Sequence, residues 1–263
     1  MSRFDSYKNR YRVVNFERRD GILQMTLHTD GKPLLFGADD ADEFQLFDAF
    51  MDVANDPDNR VVILTGTGDA FCRDIHPDLP GRHGDPISWD AIYRNRRRLI
   101  LNLLDIEAPI IAAVNGPALV HAEVPCLCDV VLASENAVFQ DKIHFPEGGT
   151  PGDGAHLFWP LVLGPTRGKY FIYTGQSLSA HEAQALGVVN EVLPRDQLLP
   201  RAWELAEMMV KRPYLSVRYT RAVLNLPIRK LYQDHHGYGL ALEGLAAVQL
   251  QGWRMYMGGE APR

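Results

Sequence analysis

Short, unbroken apolar runs recur along this chain, and longer segments with helical spacing separate them. Val61 to Leu64, Ile110 to Val114 and Val130 to Leu132 are compact apolar runs of strand length, and Ala137 to Phe139 adds another. Phe44, Phe47, Phe50 and Met51 recur at helical intervals within Ala38 to Ala54, and Trp89 to Leu104 has the same character. Short buried strands alternating with helices predict an α/β architecture in which residues at strand ends form the site. The opening differs, because Arg12 to Arg18 and Ile22 to His28 flank an Asp20-Gly21 pair, the signal of an antiparallel hairpin. Past Leu198 the strand signal stops. Ala202 to Val210, Leu215 to Leu224 and Leu240 to Leu250 read as three helices, which divides the chain into a core, residues 1–198, and a helical C-terminal region, residues 199–263.

With 46% of its 263 residues hydrophobic, the chain can bury a large core, and one domain with an appendage is expected. A net charge of -6 argues against nucleic acid or an anionic membrane surface as partner, since both require clustered Lys and Arg. The N-terminal stretch is polar and no run of eighteen apolar residues follows, so a cytoplasmic location is expected. Cys72, Cys126 and Cys128 are an odd and small set for a disulfide framework and read as buried free thiols.

Four motifs carry a resemblance to a known family: VVILTGTGDAFC from Val61, APIIAAVNGPA from Ala108, CDVVLASENAVF from Cys128, and YTGQSLSAHEAQALGVVNEVL from Tyr173. Across roughly Tyr11 to Leu250 the chain resembles the crotonase superfamily. The resemblance implies a spiral of repeated β-β-α turns, a C-terminal helical region for trimerisation, and a homotrimer or dimer of trimers. Superfamily members hold an enolate or oxyanion with two backbone N–H groups set in glycine-rich turns. Both turns differ here. The first reads Phe71-Cys72-Arg73-Asp74-Ile75, with Asp74 in the glycine's place and Ile75 carrying the donor; the second reads Ala118-Leu119-Val120-His121-Ala122-Glu123, with no glycine. These departures argue against coenzyme A thioester chemistry.

HFPEGGTPGDGAH from His144, NGPALVHAEVP from Asn115, RAWELA from Arg201 and the Glu243 region instead resemble the β-diketone hydrolases, of which 6-oxocamphor hydrolase is one. That likeness implies water activated by His144 and Asp153, a ketone oxygen bound by His121, and Glu243 completing the site. Phe36 stands near a tryptophan of that group and no histidine matches its second residue, which implies a pocket for a different diketone; Phe36, Ile75, His121 and Glu243 are the expected substrate contacts. The expected reaction is retro-Claisen hydrolysis of a (bi)cyclic β-diketone to a keto acid. It needs no cofactor, because the second carbonyl is the electron sink. The alternative is an acyl-CoA hydratase or isomerase using Glu123.

Each residue also has an ordinary structural reading. Asp153 could cap a helix beginning at Gly154, and His144 could be a satisfied loop histidine, unless the glycines between them fold the loop back. His156, three residues past Asp153, ranks behind His144. Glu243 shares a helix face with Leu240, Ala246, Ala247 and Leu250, so its carboxylate must pair, line a polar pocket or hold a proton. His235 and His236 are adjacent and face different directions on a helix, so no metal is assigned to them.

Overall fold

The computed structural model describes residues 2–37, 40–76 and 86–256, the side chains of 40–45 and 250–256 excepted. After the short helix α1 (Arg3–Tyr7), β1 (Val14–Arg19) and β2 (Ile22–Leu27) form the expected hairpin. Asp20 and Gly21 both adopt positive φ, 52° and 79°, as the tightest hairpin turns require. The order then runs β3 (Leu34–Phe36), α2 (Asp40–Ala54), β4 (Val61–Gly66), β5 (Cys72–Ile75), α3 (Pro86–Asp105), β6 (Ile110–Val114) and α4 (Glu123–Cys126). There follow β7 (Val130–Ser134), β8 (Val138–Phe139), α5 (Ala155–Leu163), α6 (Pro165–Thr174), β9 (Leu178–Ser179), α7 (Ala180–Ala185), β10 (Glu191–Leu193), α8 (Arg195–Val210) and α9 (Tyr214–Tyr256).

Two ladders explain the spiral. The main sheet has the order β1-β2-β4-β6-β7-β10, antiparallel at its first pair and parallel thereafter. A shorter ladder joins β3 to β5, and single bridges from Cys72 to Ala118 and from Ala118 to Phe139 carry it on to β8 and β9. Each turn thus places one strand in each ladder before a helix returns the chain. The β6 turn carries Asn115, whose side-chain oxygen accepts from Gly66 N and whose amide donates to the Gly68 and Ala70 carbonyls, stitching one turn to the previous one.

Ile22, Val61, Ile63, Ile111, Ala113 and Leu132 face one side of the main sheet and are covered by Leu198, Ala202 and Ala206 of α8, while the larger core fills the other side. This two-sided cover is why the strands read as unbroken apolar runs. The division expected between residues 198 and 199 therefore falls within α8, whose Leu198 and Ala202 share one core. The RAWELA stretch belongs to this helix: Arg201 pairs with both oxygens of Glu191, and Trp203 donates to Gln24.

Three expectations need correction or limits. The helices expected over Leu215–Leu224 and Leu240–Leu250 are one 43-residue helix, α9, which Pro227 interrupts by a single backbone bond without ending. Buried Arg221 ties α9 to the body through Asp129 Oδ2 at 2.6 Å and the Leu103 and Leu104 carbonyls. Met51, set at helical spacing with Phe47 and Phe50, is not buried with them and is 45% exposed. Ala38, Asp39 and the side chains of Phe44 and Leu250 lie outside the described residues.

Glycines let α9 lie close. A Cβ on Gly152 would overlap the Gly239 carbonyl, one on Gly239 would overlap the His156 ring, and one on Gly244 would overlap Trp89. We expect Gly239→Ala to be destabilising: helix propensity gains at most about 1 kcal/mol, whereas overpacking typically costs about 1–3 kcal/mol. Thermal unfolding of the variant checks the sign, and a raised melting temperature would show that the contact has room.

Candidate active site

The site is built where four chain segments meet. Leaving β6, the chain turns at Asn115-Gly116 and runs to His121, with the Leu119 and Val120 amides both donating to the Cys72 carbonyl. His121 has φ of 50°, a left-handed conformation that glycine adopts freely and other residues adopt at a cost of about 1–2 kcal/mol. The cost is offset by what the ring gains: Nδ1 lies 2.8 Å from Glu123 Oε1, and the ring packs 4.2 Å from that of Phe36. Its Nε2 lies 3.4 Å from Asp153 Oδ2.

The loop from His144 does fold back, with Gly149 N donating to the His144 carbonyl at 2.8 Å. Its return sets Asp153 Oδ1 3.1 Å from His144 Nε2. Gly154, at φ 136°, occupies the cap position of α5, and the Asp153 side chain caps nothing. Buried Tyr232 of α9 donates to the Gly154 carbonyl at 3.1 Å and fixes this corner. On the next turns of α9, the Gly152–Gly239 contact brings Glu243 Oε1 to 3.9 Å from His144 Nε2. His121, His144, Asp153 and Glu243, far apart in sequence, thus share one cluster. Phe36 forms its apolar wall. Ile75 stands in register beside Phe36, so its connection to the cluster runs through that ring.

Residues 17–236 match the enoyl-CoA hydratase/isomerase family. The chain belongs to that family, the crotonase superfamily. Within it, a β-diketone hydrolase from the cyanobacterium Anabaena sp. PCC 7120, solved with (S)-3-oxocyclohexyl acetic acid bound, is 45% identical, with a TM-score of 0.90 over 95% of this chain and 98% of its own. An enoyl-CoA hydratase/isomerase from Mycobacterium paratuberculosis is 26% identical, with a TM-score of 0.83 over 91% of this chain and 95% of its own. Carnitinyl-CoA dehydratase from Salmonella enteritidis is 29% identical over 231 residues, 84% of each chain.

Two members of this cluster were not anticipated from sequence. Buried Asp141 sets Oδ1 2.5 Å from His144 Nδ1. Arg96 of α3, also buried, has Nε 3.6 Å from Asp153 Oδ2 and its guanidinium 4.6 Å from the Phe36 ring centre. Asp141 lies three residues before His144, a spacing that in a loop signals nothing by itself. Arg96 is hidden in the run Arg94-Asn95-Arg96-Arg97-Arg98, where charge reads as a solvated face. Glu123 proves to be the partner of His121. His156 gives its Nδ1 to the Pro151 carbonyl at 2.9 Å and seats Pro151-Gly152 against α9. His235 is exposed and His236 buried, as their adjacency requires.

Charges in the cluster are driven apart. Burial disfavours the His144 imidazolium, but the Asp153 and Asp141 carboxylates outweigh it and hold the pKa well above the ordinary 6.5. Burial likewise opposes the Asp153 carboxylate, and His144, His121 and Arg96 more than reverse this, keeping it well below 3.8. Glu243 goes the other way: burial and the Asp153 charge raise it well above 4.5. Buried His236 is lowered to about 4. The trios His121–Glu123–Asp153 and His144–Asp153–Glu243 each bring one ligand atom per residue within 4.8 Å, a spacing a metal ion accepts. Both trios share Asp153, which also faces Arg96. A ¹⁵N NMR titration should find His144 protonated at pH 7 and losing its proton only in more alkaline solution, with His236 neutral from pH 6 upward. An ordinary midpoint for His144 would mean that its two carboxylates do not act on it as placed.

Proposed function

We propose that this protein is a hydrolase that cleaves a carbon–carbon bond of a bicyclic 1,3-diketone by a retro-Claisen reaction. The convergence of His144, Asp153 and Glu243 on one point carries the reading, because it combines a base for water with a carboxyl group whose raised pKa favours holding a proton. Water beside His144 Nε2 and Asp153 loses a proton to His144 as its oxygen bonds to one carbonyl carbon. The tetrahedral intermediate collapses, and the bond to the central carbon breaks. Its electron pair moves onto that carbon and into the second carbonyl as an enolate, whose oxygen His121 holds. Glu243 gives its proton to the carbon and regains one from His144, so diketone and water become keto acid with nothing left over.

The ligand of the Anabaena hydrolase supports the substrate class. Joining the carboxyl carbon of 3-oxocyclohexyl acetic acid to the far α-carbon of its ring ketone, with loss of water, gives a bridged bicyclic diketone whose bridgehead lies between the two carbonyls. The relation to carnitinyl-CoA dehydratase favours thioester chemistry instead. Against that stands Glu123, which is buried and committed to His121. Exposed apolar side chains along α9, among them Val223, Leu224, Tyr238 and Leu245, support a homotrimer or dimer of trimers as the working assembly.

Incubation with the bridged diketone and with crotonyl-CoA, read by mass spectrometry, tests the reading. The expected outcome is a keto acid one water heavier than the diketone and an unchanged thioester; hydration of the thioester alone would overturn it. Only neutral His144 can accept a proton, and its pKa is raised, so kcat/KM should rise with pH through a midpoint above 6.5. An acid limb at or below 6.5 would assign the base elsewhere.

A further inference from the structure

We infer that Asp141 is the positioning residue that fixes the tautomer of His144, leaving Nε2 as the proton-accepting atom and freeing Asp153 to hold the water. The inference rests on the hydrolase reading for the water's role, while the tautomer stands on geometry alone. The two ring nitrogens of His144 face different carboxylates. Nδ1 meets Asp141 Oδ1 at 2.5 Å in a well-formed hydrogen bond. Nε2 lies 3.1 Å from Asp153 Oδ1, yet that oxygen has no hydrogen-bond partner, so proximity there is not matched by direction. A neutral imidazole keeps one proton. Leaving it on Nε2 would point the Nδ1 lone pair at the Asp141 carboxylate at 2.5 Å, a close contact of two electron-rich atoms inside the protein. Leaving it on Nδ1 keeps the short bond and turns the Nε2 lone pair toward the space shared with Asp153 and Glu243.

Asp141 is held for this role by its backbone. On either side of it, Gln140 N donates to the Ala118 carbonyl at 3.2 Å and Lys142 N to the Leu119 carbonyl at 3.1 Å, so the segment runs alongside the one that delivers His121. Side chains alternate along such an extended segment. Lys142 accordingly reaches the half-exposed Asp74 at 2.6 Å, and Asp141 points inward, 4% exposed. Among the described residues, the charged and titratable groups around His144 are Asp141 from its own segment, Asp153 from the returning loop, Glu243 from α9 and His121 at 5.8 Å between ring centres, with Arg96 of α3 beyond Asp153 and His156 of α5 also within electrostatic reach.

The test pairs Asp141→Asn with NMR of the unaltered protein. In the variant, kcat on the bridged diketone should fall by roughly 10²–10⁴, as when an orienting carboxylate is lost in other histidine sites. KM should change less than about threefold, since Asp141 acts through His144, and the acid limb should move to lower pH because one of two carboxylates favouring the imidazolium is gone. A folded variant with wild-type kcat and an unmoved acid limb would overturn the inference. If no diketone is turned over, the hydrolase reading fails first, and the tautomer is still decided without activity. ¹⁵N shifts of wild-type His144 above its pKa should show the proton on Nδ1, and a proton on Nε2 would refute the role of Asp141 even if the variant did not fold.

Discussion

The backbone contact between Gly152 and Gly239 is the constraint on which the site depends. Neither position has room for a methyl group, and the loop from His144 and helix α9 therefore touch main chain to main chain. One helical turn past that contact, Glu243 comes within reach of His144, and one residue past Gly152, Asp153 does the same. Tyr232, two turns earlier on α9, locks the Gly154 carbonyl on the other side of the crossing. Arg221 and the Trp89–Gly244 contact secure the helix further along in each direction. The long helix is thus part of the frame of this cluster as well as a cover for the core.

Gathering Asp141, Asp153, Glu123 and Glu243 around two histidines and Arg96 is costly in a dry interior, and burial of each charge is offset only by its partners. A site of well-packed apolar residues would be at least as stable. The arrangement suits the proposed hydrolysis: it shifts Asp153 and Glu243, two carboxylates near one imidazole, in opposite directions, the first lowered and the second raised. It also explains why His121 is held at a positive φ where the superfamily resemblance implied glycine. In the proposed hydrolysis the side chain stands in for the backbone amide of a thioester enzyme, which gives the strain a use.

Much of this was legible in the sequence because the signals were local or repeated. Unbroken apolar runs marked strands buried on both faces, Asp20-Gly21 marked the hairpin, and Gly148, Gly149 and Gly152 made the loop's return to Asp153 feasible. What was hidden depended on distant partners. The apolar spacing marks separate helices over Leu215–Leu224 and Leu240–Leu250, yet a single helix, α9, runs through both and through Pro227. Arg96 among its neighbouring arginines and Asp141 in a plain loop differ from solvated residues only by what folds over them. Met51 is the opposite case, an apolar residue at helical spacing that the structure leaves at the surface.

The claim that His144 and Asp153 act as one unit is tested most directly by a double-mutant cycle on diketone hydrolysis. With His144→Ala, Asp153→Asn and the double variant compared by kcat/KM, each single change should cost roughly 10²–10⁴ and the double little more than either. Losses that multiply in the double variant would mean that the two residues work independently, and that water is activated by some other pair.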